Sequence, residues 1–409
     1  MSTPVCKFNF FSYICGAMES LFRTHAYLVH HVHAPVRRLL MDEIDWRDRL
    51  IGIKGSRGVG KTSFLLSYAR EKFKVEDRKC LYINMNNFYF QGHTISEFAH
   101  QFYEAGGRVL LIDQVFKEPD WSKELRRCYD ELPGLRIVFT GSSVMRLKEE
   151  NPELNGIVKS YNLRGFSFRE YLNIKTGLNL KPHTLEDIMA HHGQIAAEVC
   201  RQVNPLEHFD SYIHHGYYPF FLEQRNFSEN LVKTMNMMIE VDILLIKQIE
   251  LKYLSKIKRL LYLLAMEPTQ TPNVSQLAAD IQTSRATVVN YIKYLSDARL
   301  VNIIYRLGES SPKKPARVLL HNPNLAHAIR PHQVPRQEAI ETFFQNALWG
   351  RHIVNAGDRS CTFVVDGKHR FRVLSEQPKR QLSGLYYAMD GIRRGDERQI
   401  PLWLLGFLY

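Results

Sequence analysis

Cysteine is scarce and unpatterned in this chain. Six residues in 409 (Cys6, Cys15, Cys80, Cys128, Cys200 and Cys361) form no C-x-x-C pair and no disulfide-like spacing, which excludes a disulfide scaffold and fits a reducing compartment. Long apolar runs are lacking too. No stretch approaches the roughly 18 residues of a membrane span. The apolar segment at residues 8–15 is too short for a signal peptide, has only Lys7 before it, and places Ile14 where a small residue is needed. The expectation is a cytoplasmic protein without a membrane partner. Met18 stands as an alternative start, because the pattern that follows reads well without the first seventeen residues.

Acidic residues are in deficit, 42 Asp and Glu against 54 Lys and Arg, for a formal charge of +12. That balance suits an anionic partner, of which nucleic acid is the usual one, or a generally basic surface. With 45% hydrophobic and 23% charged residues, the composition is globular and supports two or three cores. Four histidines, His25, His30, His31 and His33, lie close together. No Cys or carboxylate joins them at ligand spacing, so a packed or solvated helix competes with a metal site.

The most informative stretch is G-S-R-G-V-G-K-T-S over residues 55–63. Its glycines let the backbone curl so that successive N–H groups face a triphosphate; Lys61 reaches the β- and γ-phosphates and the Thr62 hydroxyl can ligate Mg²⁺. Gly55, Arg57, Gly58, Val59, Gly60, Lys61, Thr62 and Ser63 are the expected nucleotide-binding residues, and ATP with Mg²⁺ the expected ligands. An apolar strand over 50–53 precedes the loop. A helix beginning at Ser63 follows it and presents a positive N-terminus to the anion.

Further strands are expected over 79–85, 108–113 and 135–143. The third pattern, R-V-L-L-I-D, is an apolar strand ending in Asp113, placed to hold Mg²⁺ with Thr62. Gln114 follows where a P-loop ATPase normally has Glu. An amide can orient a water but cannot accept its proton, so slow hydrolysis is expected. The same amide is what would be installed to trap a bound nucleotide, which leaves a natural slow switch and an introduced residue both open. At the end of the fourth strand, Thr140 and Ser142 are candidate sensors of the γ-phosphate, with Ser142 preferred as a catalytic residue; capping of the next segment is the alternative.

These motifs, together with L-L-I-D-Q-V-F-K-E-P-D-W-S, I-V-F-T-G-S-S and L-R-G-F-S-F-R-E-Y-L, make the chain resemble bacterial and archaeal AAA-type ATPases that carry a C-terminal winged helix and a restriction-endonuclease-like domain. The resemblance runs from about residue 18 to the end. It implies an α/β fold: an N-terminal adaptor (1–45), an αβα P-loop core (46–175), a helical lid and connector (176–265), a winged helix (266–330) and a small nuclease-like α/β domain (331–409). It also implies ATP, Mg²⁺ and, often, oligomers. Relatives carry paired arginines where this chain has Gly156 and Ile157, which removes the natural arginine finger; Arg146, Arg164 and Arg169 are possible substitutes. The aromatics Tyr212, Tyr217, Tyr218, Phe220 and Phe221 read as core packing rather than a base-stacking platform.

Residues 274–307 read as a helix-turn-helix followed by the start of a wing. Ser284 caps the second helix, whose Val288, Ile292 and Leu295 share one face. Arg285, Thr287, Asn290 and Lys293 are left to meet a major groove, and Lys313 and Lys314 occupy the tip of the following hairpin. Seven basic and two acidic residues fall between 281 and 320, which suits duplex DNA by phosphate neutralisation; a protein-packing module is the alternative. In the last segment, a helix with Glu341, strands over 361–365 and 371–374 and an Asp366-Gly367 turn resemble a nuclease core. Thr362 stands at the acidic position of the first strand, and the second offers Arg372 and Val373 in place of Glu-x-Lys. A folded domain that does not cut DNA is expected. Two functions remain in view: an ATPase coupling nucleotide state to nucleic-acid or protein engagement, and a non-hydrolysing ATP-dependent scaffold or switch.

Overall fold

The computed structural model describes residues 5–147, 149–223, 226–267, 271–308, 315–378 and 380–409, so the hairpin-tip residues Lys313 and Lys314 lie outside the described residues. The chain divides into two units. The first comprises Met1–Ser56 and Gly60–Arg164; the second comprises Gly165–Tyr409 together with Arg57–Val59.

The first unit is a parallel sheet with flanking helices. Its elements are α1 (Val5–His31), α2 (Leu40–Glu43), β1 (Leu50–Gly55), α3 (Lys61–Lys72), β2 (Cys80–Asn84), α4 (Ile95–Glu104), β3 (Val109–Asp113), α5 (Trp121–Glu131), β4 (Arg136–Ser142) and β5 (Lys159–Asn162). The strand order is β2-β3-β4-β1-β5, all parallel. Every residue of β3 is buried, and in β1 Leu50, Ile51 and Ile53 are buried, the near-continuous apolar run that a strand covered on both faces requires. At Gly52 a Cβ would lie 2.7 Å from Phe139 Cζ and from Leu147 Cδ1, so the core closes against bare backbone there.

β2 is an edge strand, with outward N–H groups that need partners. The Tyr82 N–H donates to Nδ1 of His25 on α1 (3.1 Å). Burial pushes the His25 pKa down to about 4, which keeps the ring neutral and able to accept. His25 is therefore a core residue that helps α1 close the sheet edge.

In the second unit, α6 (Phe168–Thr176), α7 (Leu185–Gln202), α8 (Leu206–His215) and α9 (Phe227–Met237) are followed by a π-helical turn at Met238–Ile243, then α10 (Leu244–Lys247) and α11 (Leu254–Met266). Tyr212, Tyr217, Tyr218 and Phe221 are buried, consistent with packing rather than base stacking. Next come α12 (Val274–Asp280) and α13 (Arg285–Asp297), then the antiparallel pair β6 (Val301–Ile304) and β7 (Arg317–Leu320). Ser284 caps α13 by accepting from the Thr287 N–H, and Val288, Ile292 and Leu295 are buried.

The C-terminal part has α14 (Pro323–Ile329), α15 (Arg336–Leu348) and a mixed sheet in the order β12-β11-β10-β9-β8. The strands are β8 (Val354–Ala356), β9 (Phe363–Val365), β10 (His369–Leu374), β11 (Tyr386–Met389) and β12 (Gln399–Pro401). Asp366 and Gly367, with φ of 52° and 70°, form the left-handed turn between β9 and β10, closed by Lys368 N–H donating to Val365 O (3.1 Å). Among the described residues no helix is long and apolar enough to cross a membrane.

Candidate nucleotide site

Parallel α/β sheets bind ligands outside the carboxyl ends of their strands, and the loop between β1 and α3 lies at that end. Gly58 (φ 83°) and Gly60 (φ 92°) take left-handed conformations that L side chains rarely adopt, so these glycines are required by the backbone path. Lys61 opens α3, and its Nζ donates to the carbonyls of Gly55 and Ser56, both at 2.9 Å. The ammonium is thereby held across the loop.

Sheet register brings the remaining groups together. Asn84 pairs with Asp113 in register, and Gly55 with Ser142. Asp113 is 1% exposed and is ringed by neutral donors. Thr62 Oγ1 donates to its Oδ2 at 2.6 Å, Tyr82 Oη to Oδ2 at 2.9 Å, and Thr140 Oγ1 to Oδ1. Burial beside this carboxylate raises the Tyr82 pKa, which keeps the phenol protonated as a donor. Thr62 and Asp113, 51 residues apart in sequence, therefore form one oxygen-donor pair. A hydroxyl and a carboxylate side by side at the N-terminus of α3 fit a hard cation such as Mg²⁺.

Gln114 is left-handed as well (φ 59°, ψ 46°), and its N–H donates to Thr140 Oγ1 (2.9 Å). Of the two sensor candidates, Thr140 touches the Asp113 carboxylate, whereas the Ser142 hydroxyl accepts from the Val144 N–H at 3.3 Å. Thr140 thus takes the place beside Asp113, and Ser142 caps the following turn while lying next to Gly55. Tyr82 was not singled out from sequence, because an aromatic inside an apolar strand reads as core.

Two other candidate residues have protein partners. Arg169 is 5% exposed and donates to the carbonyls of Tyr409 (3.0 Å) and Leu180 (3.1 Å), so its guanidinium is a structural tie and not a mobile finger. Thr287 on α13 bonds the Ser284 hydroxyl at 2.9 Å, which makes it part of the helix cap; Arg285, Asn290 and Lys293 are exposed. In the C-terminal part, Thr362 Oγ1 accepts from the Val373 N–H (3.1 Å). Glu341 accepts from Arg317 and, at 2.8 Å, from Gln337. Thr362 and Glu341 are thus both engaged in protein contacts.

Arg57–Val59 group with the second unit and have neighbours within it. Arg57 Nη2 donates to Asp242 Oδ1 at 2.6 Å. A Cβ on Gly58 would lie 2.6 Å from Phe220 Cζ.

Residues 47–172 match the family described as AAA domain, and residues 206–330 match a family described as a domain of unknown function (DUF8612). The chain is 27% identical over 281 residues to the uncharacterized protein MJ1637 of Methanocaldococcus jannaschii. That alignment covers 65% of this chain and 59% of MJ1637, so it spans less than two thirds of that relative. Among solved structures, the Aeropyrum pernix Orc1 protein in complex with DNA aligns at 14% identity over 76% of this chain and 91% of that one, with a TM-score of 0.31. C. elegans PCH-2 aligns at 13% identity over 70% and 68%, with a TM-score of 0.23; both likenesses are remote. Residues 47–172, the segment that matches the AAA-domain family, carry a parallel sheet with a glycine-framed loop, a lysine across it and a buried carboxylate joined to the loop threonine.

Proposed function

We propose that the protein binds ATP with Mg²⁺ at this loop, hydrolyses it slowly, and uses the nucleotide state to control engagement of duplex DNA through α12, α13 and the β6–β7 hairpin acting as a winged helix. The observation that carries the ATP reading is the Thr62–Asp113 hydrogen bond at 2.6 Å. It joins the loop threonine to the strand-end carboxylate as a metal-holding pair. Mg²⁺ there would neutralise charge on the β- and γ-phosphates. Lys61 and the loop N–H groups would bind and orient the triphosphate, and Thr140 would hold Asp113 in place.

Support for DNA as the partner comes from α13. Arg285, Asn290 and Lys293 are exposed on α13, whose Val288, Ile292 and Leu295 are buried, in a chain of net charge +12. A helix presented this way suits a major groove. The resemblance also brings self-association as a proposal, although Gly156 and Ile157 stand where the arginine pair of an oligomeric site would be. Gln114 favours a second reading, a nucleotide-gated scaffold that turns over little ATP and acts through protein contacts.

A salt titration of duplex-DNA affinity, with and without ATP, separates the two readings. Affinity should fall steeply with salt and differ between nucleotide states. Lys293→Ala should weaken binding to all sequences and reduce the magnitude of the log–log salt slope by about one. With Mg²⁺ present the duplex should stay intact, since Thr362 supplies no anionic ligand. DNA affinity that is absent at low salt leaves the scaffold reading. Mg²⁺-dependent cleavage persisting in Lys61→Ala protein overturns the inactive-nuclease assignment.

A further inference from the structure

His214 of α8 and His327 of α14 meet face to face, with ring centroids 3.8 Å apart and planes 21° apart. Nearby, Asn324 of α14 donates to the carbonyls of Tyr212 (3.0 Å) and Ile213 (2.6 Å) and accepts from the Tyr217 N–H (2.8 Å). An amide and a stacked imidazole pair thus join the two helices. Nδ1 and Nε2 of His327 are both closed to solvent, and neither has a hydrogen-bond partner among the described residues. A neutral imidazole left this way forgoes one donor and one acceptor. A protonated one would be a cation without partners, which is far more costly to bury.

The surrounding charges sharpen that difference. His214, Arg330, Arg336 and His215 all act on His327 against its protonation, and Asp210, Arg336 and His332 act on His214. Arg336, the first residue of α15, is shared between Asp210 (2.7 Å) and Asp390 (2.8 Å), and Arg330 bonds Glu338, so these carboxylates already hold cations. On the other elements packed against the two helices, Lys233 of α9 pairs with Glu229 (2.7 Å), Lys258 of α11 with Glu240 and Arg317 of β7 with Glu341. Lys256 of α11 donates to the Gln282 carbonyl, Arg259 lies over the Tyr262 ring, and Lys175 of α6 acts on His215. Burial, with His214 and Arg330 beside it, pushes the His327 pKa down to about 4, and partial burial lowers that of His214.

We propose that the His214–His327 stack is a pH-sensitive clasp, which closes α8 onto α14 while both rings are neutral and opens on acidification because His327 can take a proton only by leaving the stack. Opened, His327 titrates near 6.5; stacked, near 4, so between these values the opened state binds the extra proton and gains on the closed one. The clasp is fully held above 6.5 and weakens as pH falls towards 4. At pH 5.0 opening should be about 30-fold more favourable than at neutral pH. The chain between β7 and α15 runs through α14, so opening loosens the connection from the β6–β7 hairpin to α15. The clasp needs no nucleotide.

Hydrogen exchange of the full chain at neutral pH and at about pH 5, corrected for intrinsic rates, tests this through the amides of α8 and α14. These should open at least about tenfold more readily at the lower pH; equal opening at the two values overturns the proposal. His327→Phe keeps a ring on His214 and removes the titrating group, so its α8 and α14 amides should agree within about twofold across the same range. A pair that merely supports the fold would speed exchange in the variant at both pH values and preserve their ratio, which also overturns the clasp. Amides of α1 report separately on His25, whose pKa is lowered by burial as well, and should not respond to His327→Phe. Should the variant fail to fold, the imidazole resonances of the unaltered protein decide: a His327 titration midpoint at or above 6.5 sinks the idea.

Discussion

Replacing Gln114 by Glu is expected to raise steady-state ATP turnover by about 10²–10⁴-fold while leaving ATP affinity within about threefold. The geometry favours a clean restoration. The backbone of residue 114 is fixed in the left-handed region (φ 59°, ψ 46°), with its N–H on Thr140 Oγ1, and Thr140 in turn donates to Asp113. Glu has the shape and reach of Gln, so its carboxylate would occupy the volume of the present amide without disturbing Asp113 or Thr62. What changes is the ability to take a proton from an attacking water. Turnover of the two proteins side by side, with bound nucleotide identified after purification, checks this. The unaltered chain should retain ATP and the variant ADP. If Glu at 114 gives no acceleration, the missing base is not the limiting defect. The absence of arginines at Gly156 and Ile157 then becomes the better explanation.

The parts of the site written in local sequence were legible. The glycine-rich loop, the apolar strand ending in Asp113 and the Ser284 cap each depend on residues within a few positions of one another, and the pairing of Thr62 with Asp113 follows once the parallel sheet is assumed. What escaped was written across long separations or in residues of ambiguous character. β5 reads K-S-Y-N and is half-exposed at the sheet edge, so it gives no hydrophobic signal. Tyr82 and His25 look like ordinary strand and helix residues, yet one orients Asp113 and the other satisfies a backbone N–H at the sheet edge. Arg57 meets Asp242 185 positions later, beyond the reach of any periodicity. In the C-terminal part, every residue of α15 from Glu338 to Leu348 is buried. Its carboxylates are paired, Glu338 with Arg330 and Glu341 with Arg317, an arrangement that an alternating charged and apolar sequence hides.

Lys61→Ala should reduce ATP affinity by at least about 100-fold, the largest binding defect expected of any single change in the chain. Lys61 Nζ lies 2.9 Å from both the Gly55 and the Ser56 carbonyl oxygens, where it serves two roles. It supplies positive charge at the phosphates, and it ties together the first turn of the loop, whose N–H groups must converge on the same anion. Alanine removes both. A charged hydrogen bond contributes about 1.5–3 kcal/mol, and every 1.4 kcal/mol is a factor of about ten, so loss of the charge together with loss of loop order reaches the stated range. The fold should survive, because Lys61 is the first residue of α3 and the helix is anchored by the buried Phe64, Leu65, Leu66 and Tyr68. Calorimetry with Mg²⁺ and ATP, accompanied by far-UV dichroism to confirm the helices, is the measurement. Unchanged affinity in a folded Lys61→Ala protein would mean that the triphosphate is not held by this loop, and the assignment of residues 55–63 as the nucleotide site would fall with it.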